Sequence, residues 1–232
     1  MAKIDSPSNE VFSLLDELCE FPWAIDAFSD LRRYVKIVND FLPHATAQQK
    51  VRLSARIKSE TEPVNVGECE SELESVQRDE STVLPRLVWG GVLVSCYAAF
   101  EFGLESIFRH WQIATKHSIP FKKEPKKDFL SSAERYAKQQ IGVPLFASNG
   151  LRGKLFELKD LRNSFAHTGG QLSPTLKHKI IKIGRSGLAL DIVDDHWIAS
   201  LQAVEFYLLI AEKVILSFGD AVSEKCLSNN YK

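Results

Sequence analysis

The feature that most constrains the fold is an apolar stretch from Leu87 to Phe100. Pro85 precedes it, and the pattern predicts a central helix from Arg86 to about Lys116. Glu101 is the first charged residue after Arg86. A helix that is apolar nearly all round has to be buried on every side. The chain is therefore predicted to fold as helices packed around this one.

Helical periodicity recurs on both sides of the central helix, and strand alternation is confined to one region. The strands are predicted at 178–183 and 188–193, joined by the turn Gly184-Arg-Ser-Gly187. The fold class is mainly α, a helical bundle with one β-hairpin inserted before the last helix. The other helices are predicted at 11–18, 25–42, 45–58, 131–140 and 151–166, with the last running from Asp194-Asp195 to Phe218.

The organisation along the 232 residues follows from these patterns. Residues 1–59 form an N-terminal helical region, and residues 83–220 form the helical core, with the hairpin near 178–193. Between them, residues 60–82 are rich in acid and predict either a solvated linker or an exposed acidic helix. Residues 221–232 are predicted to be a tail.

Composition narrows the classes of function. A net charge of −1 provides no basic field over the whole molecule, so nucleic-acid binding would need local basic patches. The four cysteines are scattered and form no zinc-binding spacing, so we expect free thiols, no metal and no cofactor. No signal peptide is apparent, and the apolar stretch is too short to span a bilayer. We expect a cytoplasmic protein without membrane contact.

The predicted helix 151–166 ends in the run Arg162-Asn163-Ser164-Phe165-Ala166-His167, followed by Thr168-Gly169-Gly170. The helix carries an apolar stripe, called the leucine stripe here, formed by Leu151, Leu155, Leu158, Leu161 and Phe165. On a helical wheel Arg162 falls inside the leucine stripe, whereas Asn163 and His167 share a more polar flank. A buried guanidinium needs a carboxylate, a phosphate or a wet interface. Glu101 is the best internal candidate for that carboxylate.

These three side chains suit metal-free cleavage of a phosphodiester. A histidine can transfer a proton, an arginine can neutralise the charge that develops on phosphorus, and an asparagine can fix orientation. The alternative is structural: Arg162 forms a salt bridge to the core and His167 only caps the helix.

The run resembles the signature of the HEPN superfamily (higher eukaryotes and prokaryotes nucleotide-binding). In that signature an arginine is followed by Asn, Asp or His, then by three residues of any type and a histidine, near the end of a helix. The segment from Val94 to Glu105, with Glu101, resembles the helix that precedes the motif in that family. The resemblance covers about 87–218.

The resemblance implies a metal-independent endoribonuclease that uses the RNA 2′-hydroxyl as nucleophile at a site composed across a homodimer. It further implies a defence or toxin–antitoxin system, with RNA as substrate and a cognate antitoxin or regulatory protein as partner. Arg162, Asn163 and His167 would be catalytic, with Glu101 behind them. The alternative is a catalytically inactive HEPN-like module that binds nucleotides or proteins.

Two groups of basic residues are candidates for RNA contact, although either group can equally be solvated surface. The helical wheel also shows a geometric problem, because the side chains of Arg162 and His167 point in different directions on one straight helix. Either the helix distorts before His167, or the site is completed by a second copy. The basic candidates are Lys122, Lys123, Lys126 and Lys127 in a predicted loop, and Lys179, Lys182 and Arg185 on the predicted hairpin.

Overall fold

A computed structural model describes residues 22–185 and 190–230, and it is mainly helical, with one two-stranded antiparallel hairpin before the final helix. The predicted fold class is confirmed. The helix predicted at 11–18 lies outside the described residues. The elements are α1 (Pro22–Phe41), α2 (Ala47–Ser59), α3 (Pro63–Arg78), α4 (Leu84–Thr115), α5 (Phe129–Tyr136), α6 (Asn149–Thr168), α7 (Pro174–Arg185), β1 (Leu190–Val193), β2 (His196–Ala199) and α8 (Leu201–Asn230).

The acidic segment is helical, which is the second of the two alternatives that its composition left open. α3 begins with Pro63 and keeps most of its side chains exposed, with Cys69 and Val76 buried. A π turn at Asp79–Val83 joins α3 to α4, and the Leu84 amide donates to the Asp79 carbonyl across it. Pro85 has no N–H to donate one residue later, which explains the widened turn. Pro85 therefore lies within a helical run and does not begin it.

One window within Pro63–Thr115 has a mean hydropathy of 1.6 and satisfies the length and composition criteria for a membrane span. Half of that window is buried inside the structure. A core helix satisfies the same criteria, and Leu93, Cys96 and Phe100 are fully buried. The prediction of burial on every side is wrong for one face of the helix, where Leu87 and Phe102 are 50% and 58% exposed and Ser95 and Ala98 are exposed as well.

The hairpin lies later in the chain than predicted. Residues 178–183 belong to α7, so the prediction of a strand there is wrong. Ile180 and Ile183 are buried while Ile181 is 40% exposed, which is helical spacing. A helix cap is a second reason why this segment is helical. Ser173 Oγ accepts from the Leu176 amide at 3.3 Å, and Pro174 follows as the first residue of α7.

The hairpin turn is formed by Asp194 and Asp195, so the prediction that the last helix begins there is wrong. Their φ angles are +49° and +59°, the left-handed pair that a two-residue hairpin turn requires. Val193 pairs with His196 across this turn, and Leu190 pairs with Ala199 at the other end. Ser200 caps α8 instead, accepting from the Ala203 amide at 3.1 Å. α8 then continues to Asn230, through most of the segment predicted to be a tail.

The chain divides into two compact units, and four of the described helices, α1, α4, α6 and α8, contribute to both. The described part of the first unit is 22–29, 97–156 and 209–230, and the described part of the second is 30–96, 157–185 and 190–208. In the first unit Phe108 packs against the rings of Phe121, Tyr136 and Phe218 at centroid distances of 4.8, 4.9 and 5.9 Å. The second unit contains the Arg-Asn-x3-His run and the hairpin.

Candidate functional site

The C-terminal half of α6 carries the predicted site. Leu158 and Leu161 are fully buried, so the leucine stripe faces the core as its spacing predicts. The helix ends at Thr168 because Gly169 and Gly170 adopt φ of +62° and +92°. The Gly169 amide donates to the Phe165 carbonyl at 2.9 Å and so satisfies one of the last carbonyls of the helix.

Ser164 and Phe165, in the middle of the run, anchor this helix end to the hairpin. The Trp197 indole N–H donates to Ser164 Oγ at 3.2 Å, and Ser164 Oγ donates to the Gln171 carbonyl at 3.1 Å. The Phe165 and Trp197 rings lie 5.9 Å apart. Trp197 is fully buried, so these contacts fix how α6 is rotated about its axis.

Gly90 on α4 makes room for the Phe165 ring. A Cβ placed on Gly90 would lie 2.2 Å from Phe165 Cε2, far inside van der Waals contact. The close approach of α4 therefore requires glycine at this position. Nothing in the sequence pattern marks Gly90 as different from its neighbour Gly91, whose added Cβ would meet nothing within 4 Å.

Arg162 and Asn163 form a hydrogen-bonded pair. Arg162 Nη1 donates to Asn163 Oδ1 at 2.9 Å, and both residues are half-buried. The arginine backbone lies within the leucine stripe, but its long side chain reaches the polar flank, as long cationic side chains often do. Two of the three predicted site residues thus meet within a single chain.

His167 lies in the last turn of α6 and is exposed. It follows Asn163 by four residues, a spacing that brings helix side chains to within about 5–6 Å at Cβ. Across residues 22–185 and 190–230, no hydrogen bond to its imidazole is found. α6 runs through His167 to Thr168, so the helix does not distort before His167.

Glu101 is half-buried on α4 and belongs to the first compact unit, whereas Arg162 belongs to the second. The pairing of Glu101 with Arg162 stays a prediction.

The basic residues differ in their surroundings. The first group precedes α5 in the first unit and is exposed, with Lys127 bound to Glu124 at 2.7 Å; its members are Lys122, Lys123, Lys126 and Lys127. The second group lies on α7, not on the hairpin, and includes Lys182 and Arg185. There Lys179 Nζ bonds Asp160 Oδ2 at 2.6 Å. Acidic neighbours therefore neutralise part of both groups.

A cleft of about 320 Å³ opens where α7 packs beside α6. Asn163 and Ser164 line it from α6. The sequence did not point to this cleft, because it exists only when residues 174–185 form a helix. Its other lining residues are Asp160, Thr168, Gln171, Ser173, Thr175, Leu176 and Lys179.

Among the described residues, no group of three or more His, Cys, Asp or Glu side chains could hold a metal ion. Cys69, Cys96 and Cys226 are buried free thiols. Burial raises the pKa of the Cys96 thiol to about 12, which makes it a poor nucleophile at neutral pH.

No protein-family model matches this chain, and neither does any curated protein or solved structure.

Proposed function

We propose that this protein is a metal-independent endoribonuclease of the HEPN type. The observation that carries the proposal is the Arg162–Asn163 hydrogen bond on the flank of α6, with the exposed His167 one turn further on. A cation, an amide and an imidazole on one helix surface are the groups that phosphodiester cleavage needs without a metal.

The reaction consistent with these groups is attack by the RNA 2′-hydroxyl on the adjacent phosphorus. The P–O5′ bond breaks, the 2′-oxygen loses its proton to a base, and the 5′-oxygen gains a proton from an acid. The products are a 2′,3′-cyclic phosphate and a 5′-hydroxyl. In this proposal His167 transfers the proton, Arg162 neutralises the pentacoordinate phosphorus, and Asn163 holds the guanidinium in place.

The reaction needs an acid and a base, and the run supplies one histidine per chain. A homodimer would bring two copies of His167 together, and it would place the half-buried Arg162 at a cleft between copies. Such an enzyme would act on cytoplasmic RNA within a defence or toxin–antitoxin system, under the control of an antitoxin or another regulatory protein.

The direct test is incubation of the full-length protein with diverse RNAs in EDTA. The proposal expects cleavage that leaves 2′,3′-cyclic phosphate ends and is lost in His167→Ala. His178→Ala is the matched control, because His178 is also exposed and lies on α7 outside the run. Wild-type protein that leaves every RNA intact, as dimer and as monomer, would contradict the proposal.

One observation favours a non-catalytic HEPN-like binding module as the second candidate. In the part of the chain that the structure describes, no hydrogen bond orients the His167 imidazole. Expression in cells separates the two candidates. A ribonuclease arrests growth in a way that His167→Ala relieves, whereas a binding module leaves growth unchanged and still retains nucleotides in equilibrium dialysis.

A further inference from the structure

The helix α1 exposes three large apolar side chains on one face. Val35 is buried and Leu31 half-buried, so these two residues mark the side of α1 that packs on the core. Tyr34, Ile37 and Phe41 recur at helical spacing, yet they are 49%, 59% and 63% exposed. They form a second apolar face, about 110° around the helix from the first.

This exposed face continues into a groove between α1 and the beginning of α4. The groove has a volume of about 380 Å³, and Tyr34 and Leu87 line it from the two helices. Leu87 is itself 50% exposed. Gly91 also lines the groove, and a Cβ placed there would meet nothing within 4 Å. Residues 30–96 belong to the second compact unit, so the face and the groove lie within one unit.

Tyr34, Ile37, Phe41 and Leu87 together are called the α1 surface. With about half of each side chain exposed, they present roughly 400 Å² of mainly apolar area. A patch of this size is typical of a protein contact rather than of scattered surface residues. Two such patches would bury about 800 Å², which lies below the standard size of a specific interface and favours a weak, reversible contact.

Two residues of opposite charge flank the α1 surface on the same side. Arg33 and Asp40 are seven residues apart, which places them about 20° apart on a helical wheel, and both are exposed. They lie about 10 Å apart along the helix axis, too far to pair with each other. Within 22–185 and 190–230, neither side chain forms a hydrogen bond or an ion pair. Each is therefore available to a partner of opposite charge.

The order of these residues makes α1 complementary to a second copy of itself. Arg33 and Asp40 are placed symmetrically about Ile37 to within one residue, and so are Tyr34 and Phe41. A two-fold axis at Ile37 would make two copies of α1 antiparallel and pair Arg33 with Asp40 of the partner subunit, twice. The same axis would set Phe41 of the partner subunit beside Tyr34 and the groove. Parallel copies would instead set like charges against each other.

We propose that the α1 surface is an interface between two copies of this chain, arranged antiparallel about Ile37. Burial of the exposed aromatic and aliphatic side chains favours association, and the pairs of Arg33 with Asp40 at the rim select the antiparallel orientation. The α1 surface contains no residue of the run from Arg162 to His167. The inference therefore goes beyond the proposed function and does not rest on cleavage of RNA.

Sedimentation equilibrium of the full-length protein measures the association. Wild type is expected to pass from monomer to dimer with a Kd on the order of 1–100 µM. Ile37→Glu brings two carboxylates together at the axis and is expected to weaken the dimer by about 100-fold or more. Val51→Glu is the matched control, because Val51 is 69% exposed on α2 and lies outside the α1 surface. It is expected to leave the Kd at the wild-type value.

Charge reversal tests the identity and orientation of the partner. Arg33→Glu sets two carboxylates against each other in both contacts, and Asp40→Lys sets two cations together. Each variant alone is expected to dimerise about tenfold more weakly than wild type. An equimolar mixture of the two variants restores opposite charges in both contacts, so its heterodimer is expected to approach the wild-type Kd. Misfolding does not explain such a restoration, because the same two chains are compared alone and mixed.

Wild type that stays monomeric at about 100 µM or above overturns the inference, and so does a dimer that Ile37→Glu leaves intact. If each charge variant weakens the dimer but the mixture restores nothing, the antiparallel arrangement is wrong and the inference is overturned as well. Because mass is measured and not cleavage, the outcome is separate from the proposed function. A protein that leaves RNA intact but dimerises as described supports the inference, and a monomer that cleaves RNA overturns it.

Discussion

Arg162 Nη1 and Asn163 Oδ1 are joined by a hydrogen bond of 2.9 Å, which links a guanidinium from the leucine stripe to the polar flank of α6. Neighbouring residues on a helix point about 100° apart, so the contact depends on the length of the arginine side chain. The pair directs a cation and an amide toward the helix surface on which His167 lies one turn later.

Replacing Arg162 with lysine should reduce cleavage by about 100-fold or more, because an ammonium cannot keep the Asn163 bond and also contact a phosphate through a second planar donor. Initial cleavage rates at saturating RNA provide the measurement. Arg152→Lys, the same change on the same helix, is the control and should lose little activity. Equal losses of cleavage rate in both variants would show that Arg162 does not belong to the cleavage site.

Adding one methyl group at Gly90 should destabilise the protein, because it would meet Phe165 Cε2 at 2.2 Å. Gly90→Ala is expected to lower the free energy of unfolding by about 1–3 kcal/mol, as measured by urea denaturation. Gly91→Ala should be neutral or stabilising by about 0.5–1 kcal/mol, because its Cβ meets nothing.

The same contact can be tested by rescue. In a Phe165→Leu background, Gly90→Ala should cost less than it does in wild type, since the ring that it strikes is absent. An unchanged cost would mean that the methyl group acts through something other than Phe165.

The hydrogen bond from Trp197 to Ser164 should show an asymmetry between its two partners. Ser164→Ala leaves the buried indole N–H without its acceptor and is expected to cost about 1–3 kcal/mol. Trp197→Phe combined with Ser164→Ala should cost less than the sum of the single changes. Additive costs in a double-mutant cycle would contradict the bond.

Alkaline pH should lower the free energy of unfolding. Burial raises the pKa of the Cys96 thiol from 9.0 to about 12, and burial together with the nearby Glu157 carboxylate raises the pKa of Tyr207. Above pH 9 the unfolded thiol loses its proton while the folded thiol keeps it, so the contribution of Cys96 is complete below pH 9 and is lost as the pH rises toward 12.

Each such group contributes a slope of about 1.4 kcal/mol per pH unit once its unfolded form ionises. Urea midpoints measured from pH 7 to 11 should therefore be level at first and then fall. Cys96→Ala should flatten the early part of the fall, and Tyr207→Phe the later part. If the stability of the wild type stays level to pH 11, the conclusion that Cys96 and Tyr207 are buried and protonated is contradicted.

The helices were predictable because their signals are local. The leucines at positions 158 and 161, and the glycines at 169 and 170, mark the stripe and the end of α6 without reference to the rest of the chain. The same reasoning failed at 178–183, because Ile181 and Ile183, two residues apart, fit a short strand, whereas the pair that is buried, Ile180 and Ile183, has helical spacing. Ser173 and Pro174 supplied the deciding local signal, a capped helix start.

The candidate site divides in the same way. Arg162, Asn163 and His167 could be named from their spacing, and the rise per residue of a helix places Asn163 and His167 one turn apart. The bend of the arginine side chain onto Asn163 could not be predicted from the sequence, because it depends on which rotamer the surrounding packing permits.

By itself, the sequence determined the central apolar helix, the motif helix with its glycine end, and the presence of a hairpin before the last helix. Only the tertiary structure decided that Trp197 anchors Ser164, that Gly90 admits Phe165, and that α7 forms a cleft beside Asn163. The physical reason is range. Periodicity and capping act within a few residues, whereas these contacts join residues that are distant in the chain and exist only after the helices have packed.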